Sequence, residues 1–131
     1  MGVGLDHLVL CVSDVERSVA WYAEEFGLAA ERLSLWRSGE APFVSLRVDE
    51  TTLIDLVAAP LDPVAERRPN VDHLALVVDG EAFDAALARH EGHIEMGPAM
   101  LFGAQGQGAG FYVRDPDGHR VEFRTYERTV D

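Results

Sequence analysis

The sequence predicts an α+β fold built from two β-α-β-β-β modules, and three observations carry that prediction. The segment 6–12, Asp-His-Leu-Val-Leu-Cys-Val, returns at 72–78 as Asp-His-Leu-Ala-Leu-Val-Val, identical at five of seven positions with a separation of 66 residues. Each copy is followed by apolar residues at helical spacing between recognisable start and stop signals. The rest of each half is rich in β-formers broken by short polar turns. A repeat of this length is best read as one supersecondary unit written twice.

In the first half, 6–12 reads as a strand. Ser13 and Glu16 have the spacing of a capping box, which would satisfy free N–H groups at a helix start. Val15, Val19, Tyr22 and Phe26 make the helix's apolar face, and Gly27 stands where a left-handed cap would end it. Leu33, Leu35 and Arg37 alternate with their neighbours as a second strand would. Phe43–Val48 and Thr51–Val57 follow as a hairpin turning at Asp49-Glu50.

In the second half, Asp79 is the expected N-cap. Ala82, Phe83, Ala86 and Leu87 form the apolar face, and Gly92 is the stop. Strands are expected at Ile94–Leu101, Gly110–Arg114 and His119–Tyr126, the last entered through the tight turn Asp115-Pro-Asp-Gly118. Gly103–Gly110, with four glycines in eight residues, reads as a flexible hairpin connection or a mobile lid that brings Gln105 to a substrate. These elements give one domain over 1–131: module one at about 1–60, a proline-bearing linker at 61–69, and module two at about 70–127.

Composition narrows the function. The chain has 131 residues, 11 Lys+Arg against 23 Asp+Glu, a net charge of −12 and 47% hydrophobic residues. A chain this long buries a core without disulfide or zinc staples. The acidic balance argues against nucleic acid and anionic membranes, both of which select basic surfaces. No apolar run reaches the roughly 18 residues that span a bilayer, and Asp6 and His7 interrupt the only apolar stretch near the N-terminus. A single cysteine, Cys11, makes no internal disulfide, which together with these features predicts a cytoplasmic protein. Cys11 itself reads as a small core residue.

Four residues stand out. His7 and His73 occupy equivalent repeat positions, each the polar residue on an otherwise apolar strand face. Asp55 and Glu122 are matched in the same way at a separation of 67 residues. Two imidazoles and two carboxylates suit one divalent ion, Zn, Ni, Co, Mn or Fe(II), with positions left for water or substrate. The bland alternative gives each histidine an ordinary hydrogen-bonded place and pairs Glu122 with Arg120 or Arg124 on its own strand. Because they share a face with Glu122, Arg120 and Arg124 are also candidates for binding an anionic substrate.

Four motifs resemble the vicinal oxygen chelate superfamily, which includes glyoxalase I, extradiol dioxygenases, fosfomycin-resistance enzymes and bleomycin-resistance proteins. They are Leu5-Asp-His-Leu-Val-Leu, Ser18-Val-Ala-Trp-Tyr-Ala-Glu-Glu-Phe-Gly27, Val71-Asp-His-Leu-Ala-Leu, and Phe111-Tyr-Val-Arg-Asp-Pro-Asp-Gly-His-Arg-Val-Glu-Phe123. The resemblance implies curved mixed sheets around a metal and substrate cup, with the helices outside. It also implies a homodimer and a divalent ion on His7, His73 and Glu122. Asp55 falls where glyoxalase-like members carry a glutamate, one methylene longer, as a ligand or base.

The function implied is a glyoxalase-like isomerase or lyase acting on a small oxygenated metabolite through a metal-stabilised enediolate, with Glu122 or Asp55 as the base. One alternative is an Fe(II) extradiol-type dioxygenase, in which Tyr112 stands where those enzymes carry a tyrosine. Another is a non-catalytic, drug-sequestering protein of the bleomycin-resistance type, its cleft lined by Trp21, Trp36, Phe43 and Phe102.

Overall fold

A computed structural model describes residues 2, 4–59 and 71–131, so the expected linker at 61–69 lies outside the described residues. The chain divides into two compact units, Met1–Glu66 and Arg67–Asp131. Each contains a four-stranded mixed sheet with helices, an α+β arrangement.

The first unit runs β1 (His7–Val12), α1 (Val15–Phe26), β2 (Ala29–Glu31), α2 (Leu33–Arg37), β3 (Val44–Asp49) and β4 (Thr52–Ala58). Its sheet order is β1-β4-β3-β2. β1 is parallel to β4, with Val9 opposite Asp55, and β3 is antiparallel to β4, with Ser45 opposite Asp55. α1 packs on β2, β3 and β4. Leu10, Val12, Val15, Tyr22, Val44, Leu46, Ile54 and Leu56 are buried.

The second unit repeats the plan with β5 (Leu74–Val77), α3 (Gly80–Arg89), β6 (Met96–Gly103), β7 (Gly106–Arg114) and β8 (Arg120–Thr125), in sheet order β5-β8-β7-β6. Ala75 and Tyr112 stand opposite Glu122 on β8. The core here is aromatic: Phe111 stacks on Phe123 at 5.1 Å, Phe83 meets Phe111 edge-on at 5.2 Å, and the His90 ring lies 5.6 Å from Phe123.

Helix ends follow local chemistry. Gly27 takes the left-handed conformation (φ 69°) that closes α1, its N–H donating to Ala23 O at 2.9 Å. Asp79 caps α3 by accepting from Ala82 N at 2.8 Å. At α1, however, the cap is Asp14, which accepts from Arg17 N at 3.0 Å. Ser13 accepts instead from the Arg17 guanidinium at 2.8 Å, and Glu16 pairs with Arg37. The helix starts one residue later than the Ser13–Glu16 box requires, so the Asp14 carboxylate takes the cap while Ser13 and Glu16 are engaged by arginines.

Three further expectations are corrected. Leu33–Arg37 is a helical turn rather than a strand, because Arg32 adopts φ 68° and turns the chain so that Trp36 N reaches Arg32 O at 2.8 Å. A five-residue stretch is too short for periodicity to separate the two states. Cys11 is exposed, since α1 covers the face carrying Leu10 and Val12 and leaves the face with His7 and Val9 uncovered by that helix. The glycine-rich segment is a hairpin, as one of the two expectations has it, but little of it is loop. It is mostly ladder, with Leu101 opposite Gly108 and Gly103 opposite Gly106, so only Ala104 and Gln105 make the turn.

Candidate metal centre

Each unit sets one imidazole against one buried carboxylate. In the first, His7 heads β1 and Asp55 lies on β4, and parallel pairing puts both on the same face. His7 Nδ1 lies 2.7 Å from Asp6 Oδ2, and its Nε2 is 3.9 Å from Asp55 Oδ2. Asp55 is 6% exposed. The Ser45 hydroxyl donates to Asp55 Oδ1, and the Arg32 guanidinium donates in turn to Ser45 Oγ. The hydrogen bond to Asp6 raises the His7 pKa above its ordinary value, against a smaller opposing effect of desolvation.

The second unit holds the same arrangement more tightly. His73 immediately precedes β5, with Nδ1 2.7 Å from Asp72 Oδ2 and Nε2 3.4 Å from Glu122 Oε1. Glu122 is 3% exposed. Its Oε2 accepts from Arg124 Nη1 at 2.7 Å, and Tyr112 stands opposite it in the β7–β8 ladder. Burial, reinforced by the Glu122 charge, pushes the Tyr112 pKa up, so the phenol keeps its proton. The Tyr112 ring lies 4.8 Å from the His73 ring, and the Arg120 guanidinium stands 5.5 Å from the Tyr112 centroid.

Both pairs suit a divalent ion by chemistry, and the second also by distance. Each Nδ1 is engaged by a carboxylate, which leaves Nε2 as the lone-pair donor, the pattern that orients histidine ligands in metal sites. Two donors each bound at ~2.1 Å to one tetrahedral ion stand about 3.4 Å apart. The His73–Glu122 separation has that value and the His7–Asp55 separation is wider. Among the described residues, no group of three or more His, Cys, Asp and Glu side chains is gathered as a metal site. What each unit displays is therefore one imidazole–carboxylate pair.

The expected substrate-binding residues have partners within the protein. Arg120 donates to Glu95 Oε1 at 2.8 Å and to Asp72 Oδ2 at 3.4 Å. Arg124 is 4% exposed and donates, besides Glu122, to Tyr126, Leu101 and Gly106. Gln105 is exposed at the β6–β7 turn, its backbone N–H donating to the Tyr126 hydroxyl at 3.1 Å. Of the residues considered for an aromatic cleft, Trp21 packs on Tyr22 at 4.8 Å, Phe43 lies beneath Arg32, and Phe102 is 86% exposed.

Sequence reasoning passed over Ser45, Asp6 and Asp72. Ser45 and Tyr112 are separated by the same 67 residues as Asp55 and Glu122, and that spacing would have flagged Ser45. Asp6 and Asp72 were visible as part of the repeated Asp-His pair.

Residues 4–123 match the family described as the Glyoxalase/Bleomycin resistance protein/Dioxygenase superfamily. The chain is 30% identical to the glutathione transferase FosA of Serratia marcescens, covering 90% of this chain and 77% of that one. It is 28% identical to the metallothiol transferase FosB of Shouchella clausii, covering 93% and 80%. Among solved structures, a glyoxalase/dioxygenase from Nostoc punctiforme superposes with a TM-score of 0.73 at 26% identity, covering 95% of this chain and 92% of that one.

Proposed function

Because the chain belongs to the glyoxalase/bleomycin resistance protein/dioxygenase superfamily, we propose that it is a metal-dependent isomerase or lyase acting on a small oxygenated metabolite. The proposed donor set is His7, His73 and Glu122, with Asp55 as a fourth ligand or as the base. The observation that supports this most directly is the repeated pairing of an oriented imidazole Nε2 with a buried carboxylate oxygen, at 3.9 Å in one unit and 3.4 Å in the other. Folding does not bury two carboxylates beside imidazoles cheaply, and a shared cation offsets that cost.

When bound, the divalent ion would act as a Lewis acid on adjacent substrate oxygens, lowering the cost of removing a proton from the neighbouring carbon. The protein's own groups then divide the work. Glu122 is held in place by Arg124 through Oε2, which leaves Oε1 toward His73 and suits a ligand. Asp55, held on Oδ1 by the neutral Ser45 hydroxyl, keeps Oδ2 toward His7 and is the group to accept the substrate proton. Nucleic acid and membrane are not partners in this reading; the partners are the small-molecule substrate and a second copy of the chain in a cytoplasmic homodimer.

One observation favours a second reading. Tyr112 stands opposite Glu122 and lies against the His73 ring, where a phenol would meet a catechol on an Fe(II) dioxygenase site. Elemental analysis of the purified protein separates the two. Bound Ni, Zn or Co, with turnover of a 2-oxoaldehyde–thiol adduct or a related α-hydroxycarbonyl, supports the isomerase or lyase. Iron with oxygen uptake on catechols supports the dioxygenase. Thiol transfer, the activity in the names of the FosA and FosB relatives, is tested in parallel by adding glutathione and an electrophilic substrate.

A further inference from the structure

The two imidazole–carboxylate pairs differ in what stands behind the carboxylate. Behind Asp55 is the Ser45 hydroxyl, and the position two residues along β4 is Val57. Behind Glu122, the position two residues along β8 is Arg124. This guanidinium is buried, with Nη1 on Glu122 Oε2 at 2.7 Å, Nη2 on Leu101 O at 2.6 Å and Gly106 O at 3.3 Å, and Nε on the Tyr126 hydroxyl at 3.0 Å. Its ring contact is with Tyr126, at 4.9 Å. Four acceptors fix the planar fork from both ends of the β6–β7 hairpin, a geometry lysine cannot reproduce.

The glycines of that hairpin make the room. A Cβ on Gly103 would overlap Arg124 Cζ, Nη2 and Nε, and one on Gly110 would come within 3.0 Å of Glu122 Oε2. The glycine-rich run that suggests a flexible loop is thus the cradle for a buried arginine. Neither glycine has a positive φ, so space alone selects them.

We infer that Arg124 is a positioning residue for the metal ligand: by occupying Glu122 Oε2 it presents Oε1 as a single-oxygen donor beside His73 Nε2. The inference rests on the metal-dependent reading above. A role limited to tying the hairpin would need only the two carbonyls and Tyr126. The bond to Glu122 makes the guanidinium the link between the Gln105 turn and the ligand.

The test is Co(II) binding by the full-length protein, read as Kd from chelator competition and as the visible ligand-field spectrum. Arg124→Lys keeps the charge and loses the fork. Gly103→Ala changes no charge or donor and displaces the guanidinium. Arg47→Lys, at the Glu31 pair on the other unit, is the control. Circular dichroism and urea unfolding verify the fold, and Gly103→Ala carries the test if Arg124→Lys does not fold. The expected result is a Kd raised about 10- to 100-fold in both variants, the range typical for lost outer partners of metal ligands. The spectrum should be altered in both and unchanged in Arg47→Lys. Wild-type Kd and spectrum in folded Arg124→Lys and Gly103→Ala would overturn the inference alone, whereas a wild-type protein that binds no Co(II) would overturn the metal reading with it.

Discussion

Ser45 and Tyr112 hold the same place in two sheets: each stands opposite the buried carboxylate of its unit, Asp55 for Ser45 and Glu122 for Tyr112, and the Ser45 hydroxyl donates to Asp55 Oδ1. The duplication has therefore kept a hydroxyl-bearing residue opposite the acid, aliphatic in one unit and phenolic in the other.

Ser45→Ala leaves Asp55 Oδ1 and the Arg32 guanidinium without their shared partner. Ser45 is fully buried, so the loss should cost about 1–3 kcal/mol, the range for a buried acceptor deprived of its donor. Urea unfolding of the two proteins measures it. A change within a few tenths of a kcal/mol would show that Asp55 does not depend on this hydroxyl.

Asp72→Asn weakens the partner on His73 Nδ1 while keeping the side chain's shape. Asp72 is 48% exposed, so global stability should change little. Metal affinity should fall about 10-fold or more, because imidazole orientation and basicity both depend on that carboxylate. Isothermal titration with Zn beside urea unfolding separates the two effects.

The turn into β8 has a pH dependence of its own. Asp115 is buried and accepts from Asp117 N at 2.9 Å, His119 N at 2.8 Å and His119 Nδ1 at 2.7 Å. The hydrogen bond to this carboxylate raises the His119 pKa above 6.5 in the folded protein, with desolvation opposing. The folded state thus favours the protonated ring, and the added stability is fully present below pH ~6.5 and fades as pH rises through the raised value. His119→Asn should be destabilised by about 1 kcal/mol more at pH 6 than at pH 9, since a charge-assisted bond exceeds a neutral one by that order. Urea midpoints across this range test it, and a gap that grows toward pH 9 would contradict it.

The repeated Asp-His strand start made the β-α-β-β-β plan and both histidines legible, because the signal lies in identity at matched positions and needs no knowledge of packing. The Asp79 cap and the Gly27 stop were equally legible, since caps are satisfied by residues a turn away. What escaped depends on neighbours distant in sequence. The glycines of 103–110 read as flexibility until Arg124, some twenty residues on, is placed against Gly103. Cys11 read as core because its segment is apolar, whereas the helix covers the opposite face of β1. Arg120 and Arg124 suggest an anionic substrate, yet both are engaged within the protein: Glu122 lies on their own strand, a pairing the sequence allows, whereas Glu95, Asp72 and the Leu101 and Gly106 carbonyls are distant along the chain. Ser34 and Trp36 leave the strand pattern because the left-handed Arg32 starts a helical turn, a backbone choice with no periodic signature.

The most direct test of the account is metal stoichiometry and affinity in four proteins: wild type, His7→Ala, His73→Ala and Glu122→Gln. Zn or Co(II) should bind the wild type at one ion per donor set. Each variant should lose at least 10-fold in affinity, and those at His73 and Glu122 should lose more than that at His7, following the tighter 3.4 Å pair. A wild type that binds no divalent ion, or variants that bind as tightly as the wild type, would contradict it.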